Sequence, residues 1–130
     1  MAIKLIKISA IYFLIAIILG LIMSITHNYS FTPVHVHMNL LGWTSLTLAG
    51  ILYHQFPQLE ISLAGKIHFW LHNIGLPIMM ISLFLLILLE NESFGLGAAI
   101  GSIITVIGIM FFVWNIFINL KKSSSVNNHQ

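Results

Sequence analysis

The run V-H-V-H-M-N-L-L-G-W-T-S-L-T-L-A-G-I-L-Y-H-Q, Val34 to Gln55, contains no Asp, Glu, Lys or Arg. A helix of this length crosses about 30 Å of hydrocarbon, for which roughly 20 apolar residues suffice. Three further segments have the same character: about Leu5 to Ile25, about Leu63 to Leu89, and about Phe94 to Leu120. At this length only helices satisfy their own backbone in lipid. The expected fold class is therefore an all-α membrane protein of four transmembrane helices, over residues 5–25, 34–55, 63–89 and 94–120. Turn chemistry separates them at His27–Pro33, at Gln55–Ser62 around Pro57, and at Glu90–Ser93. Residues 1–122 form one four-helix domain in this reading. The Ser/Asn-rich stretch 123–130 reads as a disordered tail. The first segment reads as a retained helix rather than a signal peptide, because its apolar run is long and no small-residue cleavage site follows before Asn28.

Composition agrees. Of 130 residues, 58% are hydrophobic and 6% are charged, where a soluble domain carries about 25% charged residues. Mean hydropathy is +1.01. Soluble enzymes and disordered regulators are excluded. The net charge of +2 comes from five lysines against three glutamates. With no arginine and no basic stripe, nucleic acid is not a partner. Absence of cysteine excludes disulfides and thiolate metal sites.

The lysines orient the chain. Lys4 and Lys7 precede the first span, Lys66 lies between the second and third, and Lys121 and Lys122 follow the fourth. Glu90 and Glu92 mark the opposite side. The positive-inside rule puts both termini in the cytoplasm of a bacterial-type inner membrane. Tyr29, Tyr53, Trp70 and Trp114 fall near span ends, as an aromatic belt requires. The stripe Gly97, Gly101, Thr105 and Gly108 marks a close helix–helix contact, within one subunit or between subunits.

Seven histidines stand against this apolar background. Orientation sorts six of them into two layers. His27, His35 and His37 lie toward the outer face; His54, His68 and His72 lie toward the cytoplasmic face. From His35 to His54 is roughly 28 Å at 1.5 Å per residue, so no small ligand joins the layers. His35 and His37 are two apart and point to nearly opposite sides of their helix. Each could offer a ring nitrogen to a different planar cofactor, or both could face water. Neutral imidazole is a good iron ligand, and its second nitrogen needs a fixed partner. His68 and His72 share one helix face at i and i+4, with His54 expected nearby. That spacing suits a metal, and equally suits packing near the headgroups. Met79 and Met80 read as core fillers, and His129 falls in the tail.

Two stretches carry a resemblance. H-V-H-M-N-L-L-G-W-T-S-L-T-L-A-G-I-L-Y-H-Q-F-P, His35 to Pro57, and K-I-H-F-W-L-H-N-I-G-L-P, Lys66 to Pro77, resemble helices ten and eleven of the catalytic subunit of the C-type haem–copper oxidases. The shared pattern is HVH near the outer face, G-W, an aromatic and Pro exit, then H-F-W opening the next helix. By position, the resemblance implies that His35 matches the axial ligand of the family's high-spin haem and His37 a ligand of its low-spin haem. The cofactor would be haem b, bound through iron. His68 gains no ligand role from it.

Departures from the family narrow the function. It has twelve helices and this chain has four. Its adjacent copper-binding histidine pair and the tyrosine-bearing helix of the copper site are missing. Oxygen reduction therefore does not fit, and whether the chain is an enzyme stays open. The family's helices form three similar four-helix arcs, so a homotrimer of this chain could imitate them, with haem between copies. The expectation is a haem b membrane protein in electron transfer or diatomic gas binding. His35, His37 and His27 are the candidate ligands. Two other readings stand beside it: a non-haem metal (copper) binder or transporter using His54, His68 and His72, or a structural assembly subunit.

Overall fold

The computed structural model describes residues 1–120. Lys121 and Lys122, and the expected tail 123–130 with His129, lie outside the described residues. Within them every regular element is a helix. α1 spans Ala2–Thr26 and ends at His27, whose backbone is left-handed at φ 52°. α2 spans Thr32–His37 with Pro33 in its first turn, where a missing N–H costs nothing. The helix then widens into a π-helical stretch, Met38–Ser45, and returns to α geometry as α3, Leu46–Gln55. Phe56 is extended, as the residue before Pro57 should be. A short α4, Pro57–Ile61, leads to Ser62. The Ser62 hydroxyl accepts the Gly65 N–H at 2.9 Å and caps α5, Leu63–Leu89. Glu90 closes α5 at φ 49°, a 3₁₀ turn Glu92–Phe94 follows, and α6 runs Gly95–Asn119.

Three of these helices are long and apolar enough to cross a membrane: α1, α5, and α6 with its preceding turn. The expected second span is helical without a break from Thr32 to Gln55, but it is built from three pieces of differing register.

Packing runs between neighbours in chain order: α1 on the α2–α3 segment, that segment on α5, and α5 on α6. α1 and α6 share no packed seam. Small residues set the first and the last of these contacts. A Cβ on Gly42 would lie 2.5 Å from the Tyr12 ring, and one on Gly50 would lie 2.7 Å from Ile6. The Ser9 and Thr47 hydroxyls share a 2.7 Å hydrogen bond across that seam, and Phe13 stacks on Trp43. The α5–α6 seam is closer still. A Cβ on Gly101 would sit 2.3 Å from the Met79 nitrogen, and one on Gly75 would sit 2.7 Å from the Thr105 nitrogen. The glycine stripe of α6 is thus an internal contact of one chain.

Leu5, Leu46, Leu59, Leu76, Met79 and Met80 form part of the core. Yet only 17% of the apolar window of α1, and 17% of that of α6, is buried. Their outer faces carry Ile11, Leu14, Leu21, Ile103, Met110 and Phe117, all exposed. Such faces are stable only against lipid or another chain.

The joint before α5 is fixed by polar contacts. Asn115, fully buried on α6, donates to the Leu59 carbonyl at 2.9 Å and accepts from the Ser62 hydroxyl at 2.8 Å. The Met1 amino group pairs with Glu60, and the Ala2 N–H donates to the same carboxylate at 3.2 Å. The hydrogen bond from the Met1 amino group holds the Glu60 carboxyl below the usual carboxylate range.

Candidate functional site

His35 sits on α2 with its ring against α1. Gly20 makes the space: a Cβ there would stand 2.8 Å from His35 Cε1. His35 Nδ1 lies 2.8 Å from the Ala16 carbonyl oxygen. A carbonyl only accepts, so Nδ1 carries the hydrogen and donates. In the neutral ring Nε2 then keeps its lone pair. That edge borders an open groove of about 470 Å³ lined by Ile17, Val36, Asn39 and Leu40. The Asn39 amide nitrogen makes a long, weak hydrogen bond of 3.4 Å to Nε2, and its other hydrogen donates at 3.0 Å to the His35 carbonyl.

His37 repeats the arrangement by another route. Its Nδ1 donates 2.7 Å to the Pro33 carbonyl one turn back. Its ring is exposed, and in the neutral ring Nε2 again keeps the lone pair. Both imidazoles of the HxH motif are therefore locked in the tautomer that offers Nε2 to a ligand-accepting centre. A main-chain carbonyl on the second nitrogen is the usual orienting partner of a metal-bound histidine. His27 is exposed at the end of α1.

His68 and His72 are arranged in the opposite way. Each is 1% exposed. His72 Nε2 lies 3.1 Å from the Leu41 carbonyl, His68 Nε2 lies 3.2 Å from His72 Nδ1, and the Tyr53 hydroxyl lies 2.8 Å from His68 Nδ1. The Leu41 oxygen fixes every hydrogen in this chain for neutral rings. It only accepts, so His72 Nε2–H donates. His72 Nδ1 is then bare and accepts from His68 Nε2–H. His68 Nδ1 is bare in turn and accepts from Tyr53 O–H. Every nitrogen of both rings has a partner, and the two rings face each other edge to face at 5.3 Å.

This corrects two expectations. The i, i+4 pair lies inside the protein, 1% exposed, and does not turn two lone pairs toward a common space; it bonds itself. Tyr53 is not part of an aromatic belt. It is fully buried, because its hydroxyl has a partner on α5. Tyr29, Trp70 and Trp114 are exposed, as the belt expects. His54 is exposed on the last turn of α3 and bonds to neither ring. Among the described residues no group of three His, Asp or Glu side chains is placed to hold a metal ion. Met79 and Met80 are buried core residues.

Sequence reasoning missed Gly20, Ala16, Asn115 and the wide turn. Asn115 had left a signal, a polar residue deep in an apolar run, where burial demands a partner. The Ala16 carbonyl had none, since a main-chain acceptor has no sequence signature.

No family model, no curated protein and no solved structure matches the chain. The functional reading rests on the residues themselves.

Proposed function

We propose that the chain is a haem-binding, multi-pass protein of a bacterial-type inner membrane, with His35 and His37 as axial ligands through Nε2. The observation that carries this is the double lock: Nδ1 of each ring donates to a main-chain carbonyl, at 2.8 and 2.7 Å, and Nε2 is left as the coordinating atom. A planar, largely apolar group with a metal at its centre suits the groove beside His35, whose other walls are Ile17, Val36 and Leu40 with one polar side chain, Asn39. Bound haem b would supply one-electron exchange where both axial positions are filled, or diatomic gas binding where one stays open.

In this proposal Thr32–Gln55 is a fourth span, both termini are cytoplasmic, and the four helices form an arc like those of the haem–copper oxidases. Packing in chain order, with α1 and α6 apart and outward-facing, supports an open arc. The second ligand of each haem then comes from a neighbouring copy in a closed ring, a homotrimer, since one helix cannot wrap both faces of a haem. His27 is the alternative second ligand within one chain. The non-haem metal reading finds no such support, because the His68 and His72 nitrogens bond to each other and to Tyr53 and Leu41.

The absorption spectrum of the purified protein tests the core of this. A Soret band at stoichiometric haem is expected; a protein purified without one, and unable to take up added haem, rejects it. Topology is checked separately by a reporter after Gln130, which should be active only in its cytoplasmic form.

A further inference from the structure

The π-helical stretch Met38–Ser45 separates the HxH motif from α3. A residue added to a helical turn rotates everything before it by about 100° relative to everything after it. The wide turn therefore sets where His35 and His37 point relative to α3, which packs on α1 and reaches α5 through Tyr53. Such a turn is intrinsically poor, since its hydrogen bonds are strained and it is rare outside functional sites. A return from i→i+5 to i→i+4 bonding also strands a carbonyl without a main-chain donor. Something must hold the turn open.

Two side chains do this. The Ser45 hydroxyl donates to the Leu40 carbonyl at 2.7 Å. His72 Nε2–H, reaching across from α5, donates to the next carbonyl, Leu41, at 3.1 Å. Consecutive oxygens of the wide turn are thus capped, one locally and one from another helix. His72 is in turn held by His68, and His68 by Tyr53 on α3, the helix beyond the wide turn. The relay spans the irregular segment like a brace. One end is on the turn, the other on the regular helix that follows it, and the middle is on α5. No atom of the brace is exposed enough to serve water: His68 and His72 are 1% exposed and Tyr53 is fully buried.

We propose that His72 is a positioning residue for the HxH pair: its bond to the Leu41 carbonyl holds the wide turn that aims His35 and His37. The use of that aim rests on the haem reading; the brace itself does not. His72 has no place on the cofactor. It acts through the backbone of the segment that carries the ligands.

Two amides isolate the bond. A glutamine at this position places its NH₂ near where Nε2 was and still reaches Leu41. An asparagine corresponds to Nδ1, keeps the bond to His68, and falls short of Leu41. Each amide keeps one of the two His72 bonds, asparagine the one to His68 and glutamine the one to Leu41, so a buried polar group and the loss of one bond are common to them. In detergent and without haem, His72→Asn should raise amide exchange across Met38–Ser45 roughly five- to tenfold, the loss of one buried hydrogen bond. Ring ¹⁵N shifts of His35 should move from the Nδ1-protonated form toward a tautomer mixture as the ring leaves Ala16. His72→Gln should keep both near wild type. With haem added, His72→Asn should lose low-spin character and His72→Gln should retain it. If Asn and Gln behave alike in exchange and ring shifts, His72 does not aim the pair and the inference fails. If the two differ there while wild-type protein takes up no haem, the brace stands and the haem reading fails.

Discussion

Two pairs of histidines in one small chain are treated in opposite ways. His35 and His37 each spend Nδ1 on a main-chain carbonyl and keep Nε2 toward the surface, that of His35 with only a long 3.4 Å contact from Asn39. His68 and His72 spend all four of theirs, on each other, on Tyr53 and on Leu41. Burial separates them as well, 1% exposure for the inner rings against a half-buried and an exposed ring for the outer ones. The lesson is about reading histidines in apolar sequence. Depth alone does not make a ligand, because a buried imidazole with every nitrogen satisfied is a structural element. A ring with one nitrogen pinned and one idle is the candidate for chemistry.

The largest expected effect breaks the comparison from the outer side. His35→Ala and His37→Ala should each remove haem or convert it to a high-spin spectrum, because an axial position is lost. His54→Ala, on an exposed ring roughly 28 Å along the helix, should leave the spectrum unchanged. The measurement is the Soret and α-band region of each purified variant. A wild-type spectrum in both outer variants would return the HxH motif to ordinary interfacial packing.

Next in size is Gly101→Leu. A Cβ alone would approach the Met79 main-chain nitrogen to 2.3 Å, and backbone does not yield as a side chain does. The α5–α6 seam must open, at a cost of about 3 kcal/mol, the upper end for overpacking. Thermal unfolding in detergent checks this. Because Gly108 packs against the Leu71–His72 backbone on the same seam, the inner pair should be disturbed before the outer. Unchanged stability would mean that the stripe faces lipid.

Much of this was legible in the sequence, and for a simple reason. Helix limits in lipid follow from where charge and proline stop, so the expected spans at 5–25, 63–89 and 94–120 fall within a few residues of α1, α5 and α6. The HxH motif was legible because two histidines at a helix start have little else to do. The wide turn was not. Val34 to Gln55 reads as one uniform apolar helix, and nothing in M-N-L-L-G-W-T-S announces an extra residue per turn. What holds it open are a serine within the turn and a histidine on another helix, and long-range partners are invisible to local pattern. Tyr53 misled for the same reason. Its place near a span end suits an aromatic belt, and only the fold brings His68 to it.

Tyr53→Phe sharpens the comparison from the inner side. It keeps the ring, which packs against Phe112, and deletes only the donor to His68 Nδ1. That lone pair is then buried without a partner, costing about 1–3 kcal/mol. The outer pair has no bond to Tyr53, and the His72–Leu41 bond survives, so the haem spectrum should not change. Denaturant unfolding and the absorption spectrum are measured on the same sample. A shifted spectrum with unchanged stability would reverse the roles assigned to the two pairs.

The smallest effect on stability, and the finest test of the outer seat, is Gly20→Ala. Two terms oppose each other. Removing a glycine from the interior of α1 gains up to about 1 kcal/mol of helix preference. The new methyl would stand 2.8 Å from His35 Cε1 and 3.2 Å from its Nδ1, and overpacking of this kind costs about 1–3 kcal/mol. The obstacle is the end of a side chain, so the ring can move by a few tenths of an ångström at the lower end of that range. Net stability should stay within about 1 kcal/mol of wild type. The ring, however, moves away from the Ala16 carbonyl that fixes its tautomer, and Nε2 moves with it. Haem affinity should therefore fall several-fold in a protein whose melting temperature is almost unchanged. The inner pair bonds to Tyr53, Leu41 and itself rather than to α1, and has no comparable bond to lose. Equal affinity in Gly20→Ala and wild type would show that Gly20 does not seat the His35 ring, and the lock on Nδ1 would lose its role in presenting the ligand.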